Sequence, residues 1–108
     1  MSPARKNDRE LDRLIAEITV DCHDEDEQLT GFENAFDQDA NFPCPATVIG
    51  EQVEVLSVAI TNGRRELIAT CQRDGRRYQL ALLDIDLHGD PATTRLLAAY
   101  RRWTGHAT

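Results

Sequence analysis

The sequence predicts an α+β domain: two N-terminal helices, a small antiparallel SH3-like β-meander or barrel, and a C-terminal helix. Three observations carry this. Apolar residues recur at helical spacing before residue 40. β-branched residues and two-residue turn signals dominate from 46 to 87. An Asp-Pro pair then opens a last helical pattern. At 108 residues the chain is read as a single domain, with a helical acidic region over 8–40, a β-meander over 45–88 and a helix over 90–103.

The first helix is expected over Asn7–Val20, because Leu11, Leu14, Ile15 and Ile18 form an i, i+3, i+4, i+7 stripe. Asn7 or Asp8 is its expected cap, and the β-branched run Ile18-Thr19-Val20 weakens its end. A loop from Asp21 leads into the first turn of a second helix, whose apolar face is Leu29, Phe32 and Phe36. Asp37–Asn41 ends it, and Phe42-Pro43-Cys44-Pro45 cannot continue it. Strands follow at Ala46–Ile49, Val53–Ile60 and Glu66–Gln72, and Arg77–Leu87 reads as one long strand. Asn62-Gly63 and Asp74-Gly75 are hairpin turns by composition. Asp90 with Pro91 at the first position starts the last helix, Leu96, Leu97, Tyr100 and Trp103 form its apolar face, and Gly105 stops it.

Charge is the most unequal property of the chain. The formal net charge is −7, which opposes general binding to nucleic acid. Between residues 14 and 63 there are eleven carboxylates and no Lys or Arg, while residues 64–108 carry eight arginines against five acids. No apolar run approaches the roughly 20 residues of a membrane span. The polar N-terminus shows no secretory pattern, and Cys22, Cys44 and Cys71 are widely spaced; the expected setting is the cytoplasm, with reduced thiols. A monomer is expected.

The acids cluster most tightly at Asp21, Asp24, Glu25, Asp26 and Glu27, with Glu33, Asp37 and Asp39 further on. Like charges this close repel, and a hard divalent cation relieves the repulsion with oxygen ligands. Acidic helix starts are also common simply because carboxylates complement the helix dipole. The fifty residues without a cation move the balance toward an ion.

The run Val20-Asp21-x-x-x-Glu25-Asp26-Glu27-Gln28-x-x-Gly31-Phe32, then Phe36, then Phe42-Pro43-x-x-Ala46, resembles the cyanobacterial calcium-binding protein family often called CcbP. That family has a Val-Asp block, a Glu-Glu-Glu-Gln run, a Gly-Trp pair and a Phe-Pro-Phe element at the same spacing. The resemblance covers about residues 8–88, most specifically 20–46. It implies a small α+β protein that binds Ca²⁺ without an EF-hand, as a buffer or sensor. The matching acids are Asp21, Glu25, Asp26 and Glu27; Asp24, Asp37 and Asp39 join by proximity. Phe32 stands where the family has Trp, and Cys44 where it has the second Phe.

Other motifs weigh less. Asp84-Ile85-Asp86-Leu87-His88-Gly89-Asp90 begins like an EF-hand loop, but its twelfth position is Arg95, not the bidentate Glu, so a strand exit and a helix cap are the stronger reading. The cysteines and histidines lack zinc spacing, and adjacent Cys22 and His23 make no catalytic pair. Arg64, Arg65, Arg73, Arg76 and Arg77 flank the hairpin turns, where basic residues blunt sheet edges. With Arg101 and Arg102 they are also a candidate cationic patch. The expected function is therefore calcium binding, not catalysis, with Asp21, Asp24, Glu25, Asp26, Glu27 and Asp37 as the candidate metal ligands. The alternative is a metal-free interaction module with an acidic docking face for a protein partner.

Overall fold

Helix α1 spans Pro3–Ile18 and α2 spans Glu25–Asp39 in the computed structural model, which describes residues 3–61 and 65–105. The first helix begins earlier than the sequence predicts, at a proline suited to the first helical turn, and runs through Asn7 and Asp8 instead of being capped by them. It ends two residues early. The Thr19 N–H and hydroxyl both donate to the Ile15 carbonyl, at 2.9 and 2.7 Å, and beyond them Asp21 takes a left-handed φ of 63°, which turns the chain out of the helix.

Five antiparallel strands follow: β1 Cys44–Val48, β2 Glu51–Ile60, β3 Leu67–Arg73, β4 Arg76–Ala81 and β5 Asp86–Leu87. Their order is β4-β3-β2-β1-β5, with β4 and β5 at opposite edges. The meander is as expected. Among the described residues no ladder joins the two edges, so the sheet is open instead of closing as a barrel. Ile49-Gly50 and Asp74-Gly75 make the tight turns, both residues of each at positive φ, as a primed hairpin turn requires. The Asn62-Gly63 turn lies outside the described residues.

The expected long strand 77–87 is broken. Leu82–Asp84 forms a 3-10 turn between β4 and β5. Strict alternation would send Leu82 and Ile85 to opposite faces; the turn rotates both into the core, where they are fully buried. Helix α3, Pro91–Thr104, opens on the Asp90 cap and closes on Gly105 at φ 85°. Asp90 accepts from the Asn41 side chain at 2.7 Å, and the Thr93 hydroxyl accepts from the Asn41 backbone N–H at 3.1 Å. These bonds fasten the end of α2 to the start of α3.

The core joins α2 and α3 to one face of the sheet. Phe32 is fully buried, 5.6 Å from the Tyr100 ring in an edge-on arrangement and 5.1 Å from the Trp103 ring. The Tyr100 hydroxyl accepts from the Leu67 N–H at 2.9 Å, locking α3 to β3. A Cβ on Gly31 would sit 2.6 Å from the Ile18 carbonyl oxygen, so only glycine lets α2 approach the end of α1 this closely. Among the described residues no helix is long and apolar enough to cross a membrane.

Candidate metal centre

The start of α2 is built by its own acids. Asp24 is the cap and accepts from the Glu27 N–H at 2.8 Å, while Glu27 reaches back to accept from the His23 N–H at 2.9 Å. The first bond satisfies a backbone donor that a helix start leaves unpaired, and the second ties the preceding loop to the first turn. Together they use one oxygen of each carboxylate, Oδ1 of Asp24 and Oε2 of Glu27. Glu25 and Asp26 occupy the same first turn, where the helix dipole favours negative charge. Asp21 lies in the loop just before. All five side chains are exposed.

The donors are hard oxygens, which suits Ca²⁺ and Mg²⁺ and not the softer metals. Among the described residues, no hydrogen bond donates to the backbone carbonyls of Asp21, Cys22 or His23, which adds further oxygen ligands beside the carboxylates. Among those residues, no three His, Cys, Asp or Glu side chains stand close enough together to hold a metal ion. A cation here therefore gathers carboxylates that stand apart in solvent. Ordering each Glu costs up to about 2 kcal/mol of side-chain entropy.

Asp37 lies elsewhere. It is ten residues beyond Glu27 on α2, about 15 Å along the axis at 1.5 Å per residue, so it cannot share an ion with the first turn. Glu33 is already engaged: its Oε2 accepts from the Ile60 N–H at 2.6 Å and finishes the end of β2. Gln28, placed by the sequence beside Asp24 and Glu27, instead turns inward and accepts from the Trp103 indole N–H at 2.9 Å.

The arginines do not neutralise this region. Arg102 makes a two-pronged bond to Asp12 at 2.7 and 3.2 Å and lies 3.4 Å from Asp8. The Arg102 guanidinium holds the Asp12 carboxyl below its ordinary range. Arg101 bonds the Ile85 carbonyl at 2.6 Å and Asp86 at 3.0 Å; Arg73 pairs with Glu51 and Asp74. Arg76 and Arg77 stand on the edge strand β4, as charge-blunting predicts. Among the described residues, no Lys or Arg pairs with Asp21, Asp24–Glu27 or Asp37.

The remaining candidates resolve into structure. The EF-like segment is a 3-10 turn, a two-residue strand and a helix cap; Asp90 is held below its usual range by the Thr93 hydroxyl. Cys44 and Cys71 are buried free thiols, pushed up in pKa by burial, which disfavours their thiolates.

A family model described as calcium binding, that of CcbP, matches residues 12–104. A solved structure described as a calcium binding protein in the calcium-binding form is 23% identical, with a TM-score of 0.77, covering 97% of this chain and 96% of that one. The crystal structure of Anabaena CcbP is 22% identical, with a TM-score of 0.75, covering 100% and 98%. At these identities the likeness is one of fold. No curated protein matches the chain.

Proposed function

The chain belongs to the CcbP calcium-binding family, and from that premise we propose that it takes up Ca²⁺ at the junction of the 19–24 loop with α2, through Asp21, Asp24, Glu25, Asp26 and Glu27. The observation that supports this reading most is the set of unpaired acids. Among the described residues, five carboxylates within seven positions have no basic partner, while Arg73, Arg101 and Arg102 are spent on acids elsewhere. Asp24 and Glu27 hold the helix start with one oxygen each and offer the other to the ion. Asp21 and the neighbouring carbonyls approach from the loop side. The ion removes the repulsion among these anions and orders the loop against the helix. Asp37 serves a second, separate ion or none.

Binding to the folded state alone stabilises it by mass action. The protein then acts as a cytoplasmic calcium buffer, or as a sensor if ordering the loop reshapes the surface beside it. No catalytic role is assigned. A calorimetric and NMR titration with Ca²⁺, with Mg²⁺ as control, tests the reading. The expected result is saturation, with amide shifts concentrated at residues 20–28. No saturable response at millimolar Ca²⁺ would sink it.

A further inference from the structure

The seam between α1 and α2 leaves an open groove of about 400 Å³ on the surface, and the metal reading does not use it. Leu14 and Ile18 line it from α1 and Ala35 from α2; Val20 stands at one end, 64% exposed. The charged residues that line it, Glu17 and Asp39, are both acidic. No Lys or Arg occurs anywhere between residues 14 and 63. The apolar residues sit at helical spacing, Leu14 and Ile18 four apart on one wall, Gly31 and Ala35 four apart on the other. Rows of this kind leave a furrow that accepts the ridge of a third helix.

We infer that this groove docks a basic amphipathic helix of a partner protein, which sets an apolar side chain against Leu14, Ile18, Val20 and Ala35 and its cations against Glu17 and Asp39. Charge complementarity selects the partner: Glu17 and Asp39 repel acidic and favour basic helices, and Asn34 and Gln38 add polar lining beside the apolar side chains. The inference stands apart from calcium, and the test is run in EDTA so that its outcome is independent of the metal reading.

The probe is a synthetic amphipathic helix of about 18 residues, leucines on one face and lysines on the other, titrated at about 0.15 M salt. Saturable binding is expected, with amide shifts confined to residues 14–20 and 31–39. Val20→Asp separates a groove from mere charge attraction. It adds a negative charge at a surface position that the fold does not need, yet removes an apolar wall. Docking in the groove predicts weakening of about tenfold; unchanged or tighter binding overturns the proposal. Glu17→Lys with Asp39→Lys is expected to abolish binding. Glu54→Lys on β2, equal in charge to either of those reversals alone, should shift affinity less than about threefold. Shifts spread over the sheet, or equal losses for every charge change, would also overturn it.

Discussion

Two groups of carboxylates in this molecule are treated in opposite ways. Toward the sheet edges and α3, acids meet arginines: Asp8 and Asp12 share Arg102, Asp86 holds Arg101, and Glu51 and Asp74 hold Arg73. Around α2, the partners of the acids among the described residues are backbone N–H groups: Asp24 and Glu27 close the helix start and Glu33 closes a strand. The first arrangement is electrically finished. The second leaves net negative charge on a rigid support, which is the condition for recruiting a cation from solution. An uneven distribution of counter-charge says more about function here than the net charge does.

The largest effect comes from removing that support. Phe32 is buried between α2 and the rings of α3. Phe32→Ala should cost about 3–5 kcal/mol in urea unfolding. Calcium binding should then fall in proportion to the unfolded fraction, because the acids would no longer be presented together. An intact calcium response from an unfolded Phe32→Ala chain would show that the site needs no fold.

A sharper cut removes charge from one region at a time. Asp21→Asn combined with Glu25→Gln should weaken Ca²⁺ at least tenfold, about 1.4 kcal/mol, by calorimetry. Asp84→Asn should change little, since Asp84 lies in the 3-10 turn before β5. The reverse outcome would move the site to the second half of the chain.

Raising the pH separates core from surface. Burial raises the pKa of Cys44, Cys71 and Tyr100, so the folded state disfavours their ionised forms. The unfolded chain loses those protons first. Stability should be flat from about pH 5, above the carboxylate range, to about pH 8.5, the ordinary thiol value, and fall above it. Arginine stays charged throughout, so this loss belongs to the core and not to the ion pairs. Cys71→Ala should flatten the alkaline limb of a urea-midpoint curve; an unaltered limb would assign it elsewhere.

Much of this was legible in the sequence where a local signal exists. The Asp90-Pro91 start and Gly105 stop of α3, the apolar face of α2 and the Asp74-Gly75 turn are all local patterns, and all stand in the fold. The break at Leu82–Asp84 was not legible. The segment is apolar on both faces, and period-two alternation cannot distinguish a strand from a strand interrupted by one tight turn. The acids announced themselves through the missing cations. Their mutual positions did not, because exposed carboxylates are placed by no packing. Glu33 on the Ile60 amide and Gln28 on the Trp103 indole bridge 27 and 75 positions, beyond any local pattern. The separation of Asp37 from the first turn could have been read from helical rise alone.

The smallest effects carry the opposing signs that the comparison demands. Asp12 sits under a two-pronged Arg102, so Asp12→Asn should lower the urea midpoint slightly, and about 1 M salt should erase the difference. Among the described residues Asp37 has no cationic partner, and it stands in the last turns of α2, where the helix dipole disfavours an anion and Glu33 lies one turn away. Asp37→Asn relieves both repulsions. It should therefore raise stability by roughly 0.3–1 kcal/mol in low salt. It should also leave the affinity of the first-turn calcium site unchanged, since about 15 Å of helix lies between them. If both substitutions destabilised the protein alike, the acids of α2 would have a partner after all, and the contrast between the two regions would fail.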